Sequence, residues 1–255
     1  MTTTLANRRI LVTRGASQAA KLSDALRALG AIPVDVPAIE IHPPESYEPL
    51  DSALRNLAAY DWLILTSTNS VQVFGERAAS LGIGRPPAGL QVATIGGATA
   101  QAAQDAGLAV NLVPDAYVAE SLVAALQNQI AGKRILLARA AIARDVIPDA
   151  LRAAGAAVDV VEAYQNVMPE AAPHQLRHAY ARGLDAATFT SSSSVTYLAR
   201  AAQAGGVPFP LKSVRAVSIG PITTQTLQAL GWPPAAEADP HDIQGLVEAV
   251  VKALR

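Results

Sequence analysis

Leu65-Thr-Ser-Thr-Asn-Ser-Val71 and Phe189-Thr-Ser-Ser-Ser-Ser-Val195 are one construction written twice, 124 residues apart. In each copy an apolar run ends in hydroxyl residues just where a helical pattern begins. Ser, Thr and Asn are good helix N-caps, so each copy taken alone reads as a cap. Backbone N–H groups at a helix N-terminus lack intrahelical partners, and the helix dipole favours negative charge there. Two such ends facing each other would form a cleft suited to an anionic ligand.

The repetition extends outward from these turns without a gap. Asp61–Val71 aligns with Asp185–Val195, Ile95-Gly96 with Ile219-Gly220, and Thr99 with Thr223. Gln101, Gln104 and Gly107 match Gln225, Gln228 and Gly231, and Leu122-Val123 matches Leu246-Val247. Near the start, Arg9–Thr13 reads as a buried strand, followed by a turn at Arg14-Gly15 and a helix closed by Gly30. Pro33–Val36 completes a β-α-β unit. Its counterpart opens at Lys133–Arg139 and continues through Ala150–Gly155 to a strand at Val158–Val161. Pro148 falls near the start of the intervening helix, where a missing N–H is tolerated. The chain therefore reads as a duplicated α/β unit, which gives two similar lobes. The repeat by itself puts the boundary near Ala131.

Between these units lie two extended, proline-marked pieces, Pro37–Pro44 and Glu162–Pro169, which read as linkers rather than core strands. The first lobe-building turn is preceded by a helix expected over Tyr47–Tyr60 and a strand at Trp62–Leu65. Further strands are expected at Val92–Ile95 and Val110–Val113, with a helix at Ser121–Gln129.

Composition excludes several classes. Half of the 255 residues are hydrophobic and 16% are charged, a balance that can bury a sizeable core and argues against disorder. A formal net charge of −1 gives nucleic-acid binding no support. The absence of cysteine removes disulfides, thiolate catalysis and Cys-based metal centres. His174 and His178 have i, i+4 spacing but no acidic companion, so they read as an exposed helix face. The polar stretch Met1–Asn7 precedes a run too short for a signal-peptide core or a membrane span, so a soluble cytoplasmic protein is expected. There is no P-loop, no Gly-x-Gly-x-x-Gly after a strand and no Gly-x-Ser-x-Gly elbow. The serine runs lack a neighbouring base.

What remains is a set of anion-compatible donors. In parallel sheets, ligands bind beyond the carboxyl ends of the strands. Arg14, Thr66, Ser67, Asn69, Gly96, Thr99, Arg139, Ser191, Ser192, Ser193, Gly220 and Thr223 fall there. Arg144 is expected in the first helical turn after the Arg139 strand, where the dipole disfavours a cation and a ligand role gains weight. Gly96 and Gly220 read as turn glycines.

The ordered set Ile-Leu-Val-Thr-Arg, Thr-Ser-Thr-Asn-Ser-Val, Ile-Gly-Gly-Ala-Thr-Ala, Glu-Ala-Tyr-Gln-Asn, Phe-Thr-Ser-Ser-Ser-Ser-Val and Ile-Gly-Pro-Ile-Thr resembles the uroporphyrinogen-III synthase family. The resemblance runs from about Arg9 to Leu254. It implies two flavodoxin-like lobes with parallel sheets flanked by helices, joined by a two-stranded ladder, with a cleft between them. It also implies an exchange: residues 1–38 and 167–255 form one lobe, 41–164 the other, with crossings near 37–44 and 162–169. The implied reaction closes the linear tetrapyrrole hydroxymethylbilane, with loss of water and inversion of its last ring, without cofactor or metal. Tyr164 matches the family's cleft tyrosine and is the first catalytic candidate; Thr223 is the second. The other donors become substrate-binding candidates for a polycarboxylate. The implied protein is a monomer, with the upstream bilane-forming enzyme as a candidate partner. One position departs from the family: Gly15 stands where proline is frequent. The residues themselves leave open a non-catalytic binder of a small anionic metabolite, and a scaffold whose donors are only caps.

Overall fold

The computed structural model describes residues 4–115 and 118–255; of the polar stretch Met1–Asn7, the first three residues lie outside the described ones. The chain opens with β1 (Arg9–Val12), α1 (Ala16–Ala28), β2 (Ile32–Asp35) and β3 (Glu40–His42). The middle holds α2 (Glu48–Arg55), β4 (Trp62–Leu65), α3 (Thr68–Ser80), β5 (Gln91–Thr94), α4 (Gly97–Asp105), β6 (Val110–Leu112) and α5 (Ala119–Leu126). Next come β7 (Arg134–Ala140), α6 (Val146–Ala153) and β8 (Ala157–Val167). The last part holds α7 (Ala172–Ala181), β9 (Ala186–Phe189), α8 (Ser192–Gly205), β10 (Arg215–Ser218), α9 (Pro221–Ala229), β11 (Ala236–Glu237) and α10 (Ile243–Leu254).

The chain divides into two units. Unit 1 comprises the chain up to Ile41 together with Val167–Arg255, and unit 2 is His42–Asn166. Ala131, where the repeat alone breaks, therefore lies inside unit 2. The five strands of unit 1 run in the order β2-β1-β9-β10-β11. Those of unit 2 run β8-β7-β4-β5-β6. Both are the flavodoxin order 2-1-3-4-5. In unit 2 the pair β7-β8 follows its three partners in the chain, whereas in unit 1 the pair β1-β2 precedes them. The order is the same and the chain path is permuted.

All the pairings within these five-strand sets are parallel. Parallel sheets covered by helices are buried on both faces, so their strands read as continuous apolar runs. Trp62-Leu-Ile-Leu65 is such a run and is buried throughout. Its odd-numbered residues Leu63 and Leu65 pack with Leu50, Val71 and Phe74. The even-numbered Trp62 and Ile64 pack on the opposite layer with Leu122, Leu126 and Leu151. Unit 1 is layered likewise, with Leu11, Phe189 and Leu198 on one face and Ile10, Val12 and Leu246 on the other.

Three local readings change. The helix expected over Tyr47–Tyr60 stops at Arg55, and Leu57–Ala59 forms a 3-10 turn before β4. The helix expected at Ser121–Gln129 starts earlier, at Ala119, and ends at Leu126. The second extended piece, Glu162–Pro169, is regular strand up to Val167: β8 is one continuous strand of 11 residues that runs across the unit boundary at Asn166/Val167. β3 lies inside Pro37–Pro44 as a sheet-edge strand, all three residues exposed.

Candidate active site

The hydroxyl turn of unit 2 is built by β4. Ser67 leaves the strand with extended backbone and caps α3, its Oγ accepting from Ser70 N–H at 3.1 Å. Ser67 N–H donates back to Ser70 Oγ at 3.2 Å, so two orphan donors are satisfied reciprocally. Ser70 is fully buried and its hydroxyl donates to the Ser67 carbonyl at 2.7 Å. Sequence reasoning passed over Ser70; a hydroxyl three residues after the cap was the available signal.

Tyr164 reaches this turn. Its hydroxyl lies 3.1 Å from Ser67 Oγ. The strand register explains how. β7 pairs with β8 residue for residue up to Arg139↔Glu162, then slips so that Ala140 pairs with Tyr164. Two residues of β8 thus oppose one of β7, a bulge that re-aims side chains. Regular alternation would put Ala163 and Tyr164 on opposite faces. Instead both join Val161 in the layer that holds Leu65 and Val71. Tyr164 is buried, with its phenol on the helix-capping turn. Among the described residues of unit 2, Tyr60 is also buried. Burial, and then its hydrogen bond to Asp159 at 2.7 Å, push its pKa up to about 12.

The remaining unit 2 candidates are arranged around the same strand ends. Thr66 directly follows β4 and Asn69 sits in the first turn of α3. Gly96 precedes α4 with φ +84°, a left-handed conformation that favours glycine. Thr99 is buried in the first turn of α4. Arg139, at the end of β7, is already engaged: it donates to the Arg144 carbonyl at 2.9 Å and to Asp145 at 2.5 Å. Arg144 is not in a helical turn. It precedes Asp145, the residue before α6, so the dipole argument for it does not apply. Its guanidinium faces Glu120 at 3.5 Å.

Unit 1 repeats the turn with changes. Ser191 caps α8, accepting from Ser194 N–H at 3.1 Å. Ser192 Oγ donates to the Ile222 carbonyl at 3.3 Å, which joins this turn to the one carrying Gly220 and Thr223. Thr223 is buried in the first turn of α9. Ser193 is half-buried in the first turn of α8. Gly220 has extended backbone, φ 176°, so nothing in its dihedral calls for glycine. Thr13 and Thr188, which the sequence reading did not single out, cross-stitch β1 and β9: each hydroxyl donates to the other strand's carbonyl, at 2.8 and 3.0 Å.

Arg14 lies just past the end of β1. Its Nε donates to Gln18 Oε1 at 3.2 Å, and among the described residues no carboxylate pairs with it. Burial draws its guanidinium pKa below the ordinary value. A half-buried cation without a carboxylate is ready for an external one. Gly15 has φ −53° and ψ 144°, a conformation proline adopts, so the departure at this position leaves the turn unchanged.

These strand ends flank β1/β9 in unit 1 and β7/β4 in unit 2, the points where the strand order reverses, which is where ligands bind in such sheets. Among the described residues no group of three or more His or acidic side chains suits a metal ion, and no helix is long and apolar enough to cross a membrane.

Comparisons with known proteins identify the family and the fold. The model of the family described as uroporphyrinogen-III synthase HemD matches residues 20–248. The uroporphyrinogen-III synthase of Synechococcus elongatus is 34% identical over 254 residues, spanning 96% of this chain and 95% of the relative. The crystal structure of a mutant uroporphyrinogen III synthase from Thermus thermophilus superposes with a TM-score of 0.69 at 20% identity, covering 97% of this chain and 98% of the other. That of the Helicobacter pylori enzyme does so with a TM-score of 0.59 at 18% identity, covering 97% and 100%. The chain belongs to the uroporphyrinogen-III synthase family.

Proposed function

We propose that this protein closes hydroxymethylbilane to uroporphyrinogen III, with loss of water and inversion of the last ring. The observation that carries the reading is the Tyr164 hydroxyl held 3.1 Å from the Ser67 turn by a strand bulge.

The substrate carries acetate and propionate groups. Each unit offers donors at its strand ends that suit carboxylates: Thr66, Asn69, Thr99 and the amides after Gly96 in unit 2, and Arg14, Ser191, Ser192, Ser193 and Thr223 in unit 1. Arg139 and Arg144 act as secondary anchors, because their guanidinium groups are partly satisfied within the protein.

Loss of the terminal hydroxyl is the acid-requiring step. Tyr164 donates a proton to that oxygen, the C–O bond breaks with its electron pair, and water departs. The pyrrole nitrogens stabilise the cation left behind. The last ring then attacks the cationic carbon through its own substituted carbon, giving a spiro centre. The bond from that centre to its original methylene breaks and re-forms at the ring's free carbon, which inverts the ring. The proton lost from that free carbon restores the phenol. Binding holds the chain of rings in the geometry for that attack. Thr223 is the second candidate for contact with the reacting end. The same reading takes the protein as a cytoplasmic monomer, cofactor-independent and fed by the bilane-forming enzyme upstream.

Incubation with hydroxymethylbilane followed by separation of the isomers tests the reading. Spontaneous closure yields isomer I. Isomer III in proportion to added protein is the expected result; isomer I alone overturns it.

A further inference from the structure

Ser67 occupies an unusual place in the hydrogen bonding of unit 2. As the cap of α3 its Oγ takes one proton, from Ser70 N–H. Ser70's own hydroxyl proton is committed to the Ser67 carbonyl at 2.7 Å. The proton on Ser67 Oγ then has two acceptors within reach, Ser70 Oγ at 3.3 Å and the Tyr164 oxygen at 3.1 Å. The repeat supplies an internal control. Ser191 caps α8 in the same way, but its Oγ meets Ser194 rather than a phenol. That cap is one-way, because Ser194 Oγ donates to the Ser191 carbonyl without accepting from Ser191 N–H. The reciprocal box that fixes Ser67 therefore occurs in the unit that carries the phenol.

We propose that Ser67 is a positioning residue for Tyr164: its hydroxyl donates to the phenol oxygen, which leaves the phenol proton directed at the substrate's departing hydroxyl. This rests on the reading of Tyr164 as the proton donor. When the phenol gives up that proton, the Ser67 hydrogen bond holds the oxygen that bears the charge, and it persists until ring closure returns a proton. The step is a single proton transfer with loss of water and needs no co-reactant. Ser67 is thus distinguished from Thr66 and Asn69, whose proposed role is to grip carboxylates. Its position is set twice over, by the reciprocal cap on one side and by the bulge at Ala140↔Tyr164 on the other.

The test is a double-mutant cycle on initial rates of isomer III formation, with Ser67→Ala, Tyr164→Phe and the pair. Ser67→Ala lowers kcat by about tenfold, the worth of one hydrogen bond to a charged oxygen, with KM little changed. In the Tyr164→Phe background the same substitution has almost no further effect. Ser67→Thr keeps cap and hydroxyl and restores most of the rate, whereas Ser67→Gly, which weakens a cap only slightly but has no hydroxyl, stays as slow as Ser67→Ala; a rate restored by glycine traces the loss to the cap and overturns the proposal. Additive losses, or a rise in KM with kcat intact, overturn the proposal and make Ser67 a substrate contact. If Tyr164→Phe is too slow to measure, the split between kcat and KM in Ser67→Ala and the contrast between Ser67→Thr and Ser67→Gly decide in the same way. Failure of the wild-type protein to make isomer III sinks the underlying reading instead, so the two failures are told apart.

Discussion

The two units share a strand order and a capped turn, yet the surroundings of that turn have diverged. Unit 2 holds a phenol on its turn, fixed by a reciprocal cap. Among the described residues, Ser191 of unit 1 has no such contact, and its neighbour Ser192 ties its turn to the next one through the Ile222 carbonyl. The arginines at matching strand ends differ too. Arg139 is occupied by Asp145 and the Arg144 carbonyl, while Arg14 is half-buried with no carboxylate partner among the described residues. Duplication supplies two copies of an anion-friendly strand end. Small changes then give one copy a phenol on its turn and leave the other an arginine with no carboxylate partner among the described residues.

The largest effect is expected at the phenol. Tyr164→Phe keeps the buried ring and removes only the hydroxyl, and it lowers kcat for isomer III formation by about 100-fold, the lower range for a general acid. A loss of less than about threefold in a steady-state assay, far below that range, would break the asymmetry. In unit 1, Arg14→Gln removes the open charge. It raises KM for hydroxymethylbilane by about 10-fold to 100-fold, as expected for a hydrogen bond to a carboxylate, with kcat close to wild type. Arg139→Gln, its mate, has the smaller effect on KM in the same assay because that guanidinium is already satisfied.

The units also hold their helix pairs together differently. In unit 1, α8 packs so closely on α7 that a Cβ at Gly205 would lie 2.6 Å from the Pro173 carbonyl oxygen. Gly205→Ala destabilises the protein by about 1–3 kcal/mol in urea unfolding, because backbone has to move. In unit 2 the corresponding pair, α2 and α3, is tied by Arg77, which donates to both oxygens of Asp51 at 2.9 and 2.6 Å. At the 124-residue offset Arg77 is matched by Ala201, buried in α8. The hydrogen bonds from Arg77 hold the Asp51 carboxyl below its ordinary pKa. A depressed carboxylate stabilises the fold above its unfolded value, about 4, and that contribution disappears as pH falls through the folded value. Asp51→Asn therefore lowers Tm at neutral pH and loses less than wild type on acidification below about pH 4.

The smallest effect concerns a pair of buried hydroxyls at matching ends of β5 and β10. Ser218 Oγ lies 2.6 Å from Thr224 Oγ1, which in turn donates to Glu237. Thr94, at the same offset, has a buried hydroxyl with no partner, and Ala100 stands where unit 1 has Thr224. Thr94→Val is expected to be neutral or stabilising by up to about 1 kcal/mol in urea unfolding, since it removes an unpaired buried group. Ser218→Ala should destabilise in the same experiment. Destabilisation by Thr94→Val would show that its hydroxyl has a partner after all.

Much of this fold was legible because repetition made weak signals strong. A lone Thr-Ser-Ser-Ser-Ser run means little more than a cap; a gapless match at one offset fixes strands, turns and helices together. The strand ends carry the residues that spacing placed there, from Thr66–Asn69 to Gly220–Thr223. What stayed hidden depends on three-dimensional register. The bulge that turns Tyr164 inward arises from a slip between β7 and β8 and has no marker in Glu-Ala-Tyr-Gln. Arg139 and Arg14 look equivalent along the chain. Only the path of the loop to Asp145 shows that one is taken. Arg144 was misread for the same reason, since the loop after β7 delays the helix to Val146. The exchange of β1 and β2 is equally invisible to self-similarity, because a permuted path leaves the repeat intact.

The most direct test of the division between the units is the initial rate of isomer III formation against hydroxymethylbilane concentration, measured for Tyr164→Phe and Arg14→Gln side by side. The account predicts a lowered plateau with unchanged half-saturation for the first, and a raised half-saturation with an unchanged plateau for the second. If both substitutions move the same parameter, the two strand ends do the same work and the account is wrong.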